Sequence, residues 1–537
     1  MNMKNLKMKL AALASMVLVC FVSVSCVADL DQAPEDSSSL LTSEEFFKNP
    51  DSYKQFLAKL YAGLATTGQS GPAGSADISF IDEGFSQYIR GYWQMQELTT
   101  DEAIMAWNDL TIKNFHYQNW TPTDVFINAT FSRLAFQITN CNEFLRQTTD
   151  AKLDSRSVSS DLRAQIQTFR AEARFLRALS YWHLIDLFGG ASIVTEDSPT
   201  SYFLPEYATR AQLFEFVESE LAEIESEMAD PNSNEIFRAD RTALWMLQGK
   251  LFMNANVYIG QDRYTDAQTA LEKIFNQSSY ALHDNYRELF LADNDTNGAQ
   301  NEFIFAVAFD GLNTKTYGGT TFLTHAPVGG NMPANEFGIN GGWAGIRTTS
   351  AFVAKFDGMD GDARRQFHTS GQTLEIADVG NFNHGYAIAK WRNVDSMGNP
   401  GSDAEGNFAD TDFPMFRLAD AYLMYAECAL RGAGNLGQAV NYVNMLRERA
   451  YGNNSANITA GALTLDFVLD ERARELHWEG HRRTDLIRHG KFTGSAYVWA
   501  WKGNVPGGAP TPSYRNLFPI PSNAISANPN LQQNPGY

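Results

Sequence analysis

Apolar side chains recurring three and four residues apart constrain this chain more than any other feature. The pattern runs through residues 125–146, 162–188, 210–228, 240–258 and 264–276, and returns in 416–449 and 468–490. Each such stripe lies along one face of a helix and has to be buried against another element, so its repetition points to packed helices. An earlier helix is expected over 43–63, with Ser43 as its cap and Phe46, Phe47, Phe56, Leu57, Leu60 and Tyr61 on its apolar side. Ala255, Tyr258, Tyr264, Ala267 and Leu271 fall near the offsets of a tetratricopeptide hairpin, where small residues let two helices approach. Ala426, Gly432, Ala439 and Val443 repeat that arrangement with a different loop length, and ordinary antiparallel helix packing would give the same pattern.

Between about residues 280 and 414 the texture changes: Gly, Asn and Asp become frequent, and 302–309 (EFIFAVAF) reads as a short strand. The expectation is a mostly α protein, a helical scaffold carrying one loop-rich excursion with short strands. Loops held by a rigid scaffold are where binding groups collect.

Lys4, Lys7 and Lys9, an apolar run over 10–22 and the sequence Ser23-Val24-Ser25-Cys26 make residues 1–25 an export signal. The apolar run is about 13 residues, short for a bilayer span. Cys26 directly after a small residue fits lipoprotein processing, with Cys26 lipidated; an ordinary secretory signal cut nearby is the alternative. Acyl chains on Cys26 would tether the body to a membrane, palmitate among them. Residues 26–42 follow as a polar, acidic tether, and 43–537 as the binding domain. Beyond these, Cys141 and Cys428 lie on apolar helical faces and read as buried thiols, with a single bridge between them the other option.

The net charge of −20 argues against nucleic acid or an anionic polymer as the partner. A neutral ligand fits better, and 36 Phe, 21 Tyr and 10 Trp are enough to line a surface for one, although most of them are expected in the core.

Several clusters carry possible chemistry. Arg170, Arg174 and Arg177 share one side of a helix and could hold an anion; ion pairs with Glu172 or Asp186 are the plainer reading. His477 and His481 would share a helical face, but HWEGH places Glu in neither zincin position and lacks a third ligand. The surrounding DERARELHWEGHRRTDLIRHG reads as a structural ion-pair network. Asp293, Asp295 and Asn297 open like a calcium loop, yet the closing acidic position is Ile304. That rejects an EF-hand and leaves two readings: a looser structural calcium site completed by Asp410 or Asp412, or an Asx-rich turn. Glycoside hydrolysis needs only two placed carboxylates, and no hydrolase motif supports it. No catalytic residue is assigned and no cofactor is required.

A sugar presents C–H groups on its faces and hydroxyls at its edge, so aromatic faces with Arg, Asn and Asp beside them suit it. An extended polymer would need several aromatics in a shallow arc. Residues 88–109 (YIRGYWQMQELTTDEAIMAWND), 315–322 (KTYGGTTF) and 340–348 (NGGWAGIRT) supply candidates.

Residues 416–449, 468–490 and 517–537, with the helix, Gly-Gly stop and Ile-Val-Thr-Glu run of 172–196 and the lipoprotein-like start, resemble the SusD/RagB family of cell-surface glycan-binding lipoproteins. The resemblance implies a SusD-like fold with tetratricopeptide-like hairpins and a surface-exposed, lipid-anchored place on the cell outer membrane. It also implies a SusC-like TonB-dependent transporter as partner. The three loop segments look like the ligand loops of starch-binding members. On that likeness Trp107, Tyr317 and Trp343 form the aromatic arc, Arg90 bonds sugar hydroxyls, and Asp82 and Asn108 assist. Met105 stands where those members have a further tryptophan, and Leu110 where they have a polar residue. The implied ligand is a starch-like α-glucan; another neutral glycan such as a fructan or hemicellulose is the alternative, and a surface glycoside hydrolase the more distant one.

Overall fold

The computed structural model describes residues 42–72 and 76–537. The export signal 1–25, Cys26 and all of the tether except Thr42 lie outside the described residues. The chain up to Tyr53 and the chain from Lys54 on form separate compact units. The helix expected over 43–63 is two helices, Ser43–Phe46 and Ser52–Ala65. Pro50 explains the break, because its ring disfavours helical backbone at Asn49. The first of the two is capped by Thr42 rather than Ser43, the Thr42 hydroxyl accepting from Glu45 N at 3.2 Å.

From Lys54 on, helices pack in sequential pairs. Val125–Gln147 packs on Ser160–Leu187, which packs on Arg210–Ile224; Arg241–Met253 packs on Tyr264–Gln277. Leu418–Leu430 packs on both Leu436–Tyr451 and Leu465–Leu476. Their starts carry the expected chemistry: Asp124, Ser159, Asp240, Asn435 and Thr464 each accept a first-turn N–H, and Thr209 forms a capping box with Gln212. The stretch 240–258 is interrupted at Asn254, and the helix expected to reach 228 stops at Ile224. Among the described residues no helix is long and apolar enough to cross a membrane. Cys141 and Cys428 are free and buried.

The loop-rich excursion leaves and rejoins the scaffold through one antiparallel strand pair, Phe303–Val307 with Phe413–Arg417, paired from Phe303↔Arg417 to Val307↔Phe413 with a register irregularity at Phe305. Inside the excursion Val328, Met332, Phe337, Ile339, Phe382, Ala387 and Ala389 form a small core of their own.

At the foot of that strand pair Arg417 makes five hydrogen bonds. It donates to Glu302 Oε1 (2.9 Å), Glu475 Oε1 (2.7 Å), Glu475 O (2.7 Å) and both oxygens of Glu479 (2.6 and 2.9 Å). Arg364 pairs with Asp362, Glu471 and Glu475, Arg472 with Asp420 and Asp485, and Arg488 with Glu427 and Asp485. The charged C-terminal stretch is thus the structural network its composition suggested.

The two histidines within it do not share a helical face. The helix ends at Leu476 and the next begins at Arg482. Between them Trp478 and Gly480 take positive φ, 62° and 86°, and a Cβ on Gly480 would lie 2.3 Å from the Tyr92 ring. Two buried carboxylates hold this turn open: Glu97 accepts from Gly480 N (2.5 Å) and His481 N (2.9 Å), and Glu102 from Trp478 N (3.1 Å). His477 packs on Phe352, whereas His481 faces Lys250 at 3.4 Å.

The arginines of the long helix also choose other partners than expected. Arg174 pairs with Glu220 and Glu223, Arg177 with Glu196 and Glu220, and Arg170 donates to Leu145 O and Thr148. Glu172 and Asp186 are taken by Arg238 and Arg483.

Replacing Arg417 by Met would take one cation from three buried carboxylates, leaving Glu302 with Arg449, Glu475 with Arg364 and Arg449, and Glu479 with Lys390; it should lower unfolding free energy by about 3–5 kcal/mol in denaturant titrations. Acid should act on the same network. Burial opposes the charge of Glu471, but Arg364, Arg474 and Arg447 outweigh it and hold its carboxyl at about 2 against an ordinary 4.5. A folded pKa below the unfolded one means stability present above 4.5 and lost as pH falls toward 2. Urea midpoints should therefore drop over that window, and a flat or rising profile would contradict this.

Candidate functional site

The site begins with a glutamine. Gln87 caps the helix Tyr88–Gln96, its Oε1 accepting from Arg90 N at 2.6 Å. The same oxygen accepts from Gly319 N at 2.8 Å, while its Nε2 donates to Leu64 O and Ala65 O. One side chain thus ties the start of that helix to the Tyr317-Gly318-Gly319 turn. A Cβ on Gly318 would lie 2.4 Å from Gln87, and Gly319 has φ 53°, so both glycines serve this approach.

A second tie joins the other two loops. Ile104–Met105 pairs antiparallel with Ile346–Arg347, and Ala106 N donates to Gly345 O at 2.7 Å. Trp107 and Trp343 are thereby brought side by side, with rings 6.2 Å apart and the Trp107 indole N–H donating to Trp343 O at 2.8 Å. The Trp107 ring lies against Gly345, where a Cβ would meet it at 2.4 Å.

Trp343 stacks on the buried His325 ring at 4.8 Å and 30°. Burial pushes the His325 pKa down, though its ring nitrogens lie 2.9 Å from Thr321 O and 3.1 Å from Gly406 O. Tyr317, 43% exposed, stands 6.4 Å from the Trp343 ring and rests on Phe408 at 5.5 Å.

Arg90 lies beneath this row. Its guanidinium sits over Phe322 (4.7 Å) and Phe85 (5.5 Å), and Nη1 donates to Gly84 O at 3.2 Å. Burial pulls its pKa down to about 10, with Asp82 and Asp109 opposing. A methyl group on Gly84 would lie 3.3 Å from Arg90 Nη1, 3.4 Å from Asp82 Oδ1 and 3.8 Å from Tyr317 Cβ, so these three groups converge. Asp82, Trp107, Tyr317 and Trp343, spread over some 260 positions of sequence, therefore meet at one surface, with Arg90 buried beneath them. Asn108 is exposed next to Trp107, but its amide oxygen accepts from Lys113 at 2.6 Å. Met105 is buried within the strand pair and takes no part in the surface.

A family model described as the SusD family matches residues 372–537. The starch-binding protein SusD of Bacteroides thetaiotaomicron is 35% identical over 584 aligned residues, covering 100% of each chain. This chain belongs to the SusD family. A SusD-like protein of Formosa agariphila is 25% identical, covering 97% of this chain and 99% of its own. Among solved structures, surface glycan-binding protein A from Bacteroides fluxus matches with a TM-score of 0.68 at 19% identity, over 91% of this chain and 100% of that one. A SusD superfamily protein from Bacteroides vulgatus gives 0.71 at 18% identity, over 91% and 99%. The mostly helical SusD fold expected from sequence is the fold these structures share.

In this SusD-family chain the Asp293–Gly298 segment is a closed turn. Asp293 Oδ1 accepts from Asn297 Nδ2 (3.1 Å), and Oδ2 from Ser396 N (3.0 Å) and Oγ (2.6 Å). The Asp295 carboxylate accepts from Thr296 at 3.3 Å, and Asn297 also donates to Glu288 O. Asp412 accepts from Phe309 N at 2.7 Å; burial, with Asp295, Asp410 and Asp310 nearby, raises its pKa well above the usual carboxylate range. Among the described residues no group of three or more His, Cys, Asp or Glu is arranged to hold a metal ion. The oxygens a calcium ion would need on Asp293 already accept protein hydrogen bonds.

Sequence reasoning missed Gln87, Phe322, His325 and Phe408, which carry the site from behind. Only the glycines flanking Tyr317 and Trp343 hinted that something would pack closely there.

Proposed function

We propose that this chain captures a polysaccharide or oligosaccharide, a starch-like α-glucan in the first instance, and passes it to a SusC-like TonB-dependent transporter. In this reading it acts at the outer-membrane surface, anchored through lipidated Cys26, and the scaffold helices provide the docking face for the transporter. The observation that carries the proposal is the open row Trp107–Trp343–Tyr317, standing above Arg90 and Asp82. Flat apolar faces beside a guanidinium and a carboxylate match the faces and edge of a pyranose. A row of partly exposed rings suits a chain better than a closed pocket would. The 35% identical relative is named as starch-binding, which supports an α-glucan over other neutral polymers. Relatives named as binding proteins support capture without bond cleavage.

Trp343→Ala and Tyr317→Ala should each weaken retention in affinity gels containing starch by about tenfold or more, as expected for central aromatic anchors, with circular dichroism unchanged. Because the ligand is uncharged, affinity should stay constant across a tenfold change in salt. Undiminished retention in both variants would remove the arc from the binding site. Release of reducing sugar from starch by the purified protein would contradict a purely binding role.

A further inference from the structure

The turn between Leu476 and Arg482 is closed by more negative charge than its surroundings balance. Glu97, Asp101 and Glu102 come off the end of the helix Tyr88–Gln96, and all three are buried. Two of them converge on the same few backbone groups. Glu97 Oε1 accepts from Gly480 N and His481 N, and Glu102 Oε2 from Trp478 N. The two carboxyl groups are also in hydrogen-bond contact with each other, and the second oxygen of Glu97 meets no protein donor. Ionised carboxylates have only acceptors, so a contact of this kind needs a hydrogen between its oxygens.

The cations at hand are already engaged. Arg482 donates to both oxygens of Asp101, at 2.8 and 3.0 Å, and its Nε stands 3.7 Å from Glu102 Oε1. Burial opposes the charge of Asp101, but Arg482 outweighs it, with the Tyr497 hydroxyl and Lys355 adding to the effect. Lys355 itself pairs with Asp470, and Lys502 donates to Tyr497 O. On the other side of the turn Lys250 pairs with Asp420, and burial together with Lys250 pushes the His481 pKa down to about 3, so that ring is neutral. Burial and Lys390 keep His477 neutral in the same way, and Lys390 is held by Glu479. Asp186, near Tyr92, is paired with Arg483. One guanidinium therefore faces three buried carboxylates, an imbalance that a dry site relieves by binding a proton.

We propose that the Glu97–Glu102 pair binds a single proton and acts as a latch: with the proton in place the two carboxyls hold the 477–481 turn together, and its loss drives them apart and frees the turn. The latch reaches the aromatic row through the backbone. Glu97 follows the helix that carries Arg90, and Glu102 precedes the strand Ile104–Met105 that leads to Trp107. Between them Asp101 O accepts from the Thr349 hydroxyl at 2.6 Å, just beyond the strand Ile346–Arg347. The inference holds whichever ligand the row takes.

Burial lifts the Glu97 pKa from 4.5 to about 7, and burial with the Glu97 charge lifts that of Glu102 well above the carboxylate range. In an opened, hydrated turn both return toward the ordinary value. A closed-state pKa above the open-state one means that closure is favoured in full below 4.5 and is lost as pH rises through about 7. Opening therefore increases by up to about tenfold per pH unit on that slope.

Hydrogen exchange of the full chain, followed by mass spectrometry from pH 5 to 8 with intrinsic exchange rates divided out, reads the turn directly. In wild type, peptides holding Trp478, Gly480 and His481, and those of the helix Tyr88–Gln96, should lose protection by up to about tenfold per pH unit. Glu102→Gln keeps an oxygen for Trp478 N and presents a permanent N–H to Glu97, so its protection should stay level over the same range. Protection independent of pH in wild type, or a slope as steep in Glu102→Gln as in wild type, overturns the latch. The wild-type profile decides on its own if the variant does not fold.

Discussion

The enclosure of Arg417 by Glu302, Glu475 and Glu479 is the constraint on which the rest of the structure depends. Arg417 ends the strand by which the loop-rich excursion returns to the scaffold, and Glu302 directly precedes the strand by which it departs. Glu475 and Glu479 belong to the C-terminal helix and the turn after it. A single guanidinium therefore joins both ends of the excursion to the helical body. Buried ion pairs add little net stability over a well-packed apolar core, but breaking one member is costly. Such a cluster tolerates one arrangement of its neighbours and penalises the others, which suits a chain that must hold about a hundred loop residues in register.

The same C-terminal segment reaches the site by a second route. The turn between Leu476 and Arg482 is held by Glu97 and Glu102, which follow the helix Tyr88–Gln96 that carries Arg90. Burial raises the Glu97 pKa to about 7, and burial together with the Glu97 charge raises that of Glu102 well above the usual carboxylate range. Trp93 from the same helix donates its indole N–H to Trp478 O at 3.2 Å. The motifs that identify the family thus position the helix that carries Arg90 without themselves joining the aromatic row.

How much of this was legible in sequence depends on the range of the interaction. Helices and caps are set by neighbours three or four residues away, so 125–146 and 264–276 were read nearly to their ends. The 468–490 stretch was misread at its centre because local periodicity continues across His477–His481, while the break is imposed by Glu97 and Glu102 nearly four hundred positions upstream. The partners of Arg174 and Arg177 were misassigned for the same reason: near carboxylates were available, but Glu220 and Glu196 face them in space. The candidate site residues are named through resemblance, and the structure brings Asp82, Trp107, Tyr317 and Trp343 to one surface with Arg90 buried beneath it. What no local pattern reveals is their support, since the contact of His325 with Trp343 and that of Gln87 with Gly319 exist only once distant loops have met.

The arrangement of that support bears on why the surface can stay open. Exposed aromatics in a loop are drawn to collapse on one another, which would close the row and bury the faces a sugar needs. Here each ring is held on its inner side: Trp343 by His325, Trp107 by Phe322 and the bare face of Gly345, and Tyr317 by Phe408. The tilts between neighbouring rings, 47° for Trp107 with Trp343 and 59° for Tyr317 with Trp343, prevent flush stacking within the row. Because the rings are fixed before any ligand arrives, little side-chain entropy remains to be lost on binding, and the burial of sugar faces can appear as affinity. On the proposed function, a polymer would be bound by several modest contacts in series rather than by one strong one.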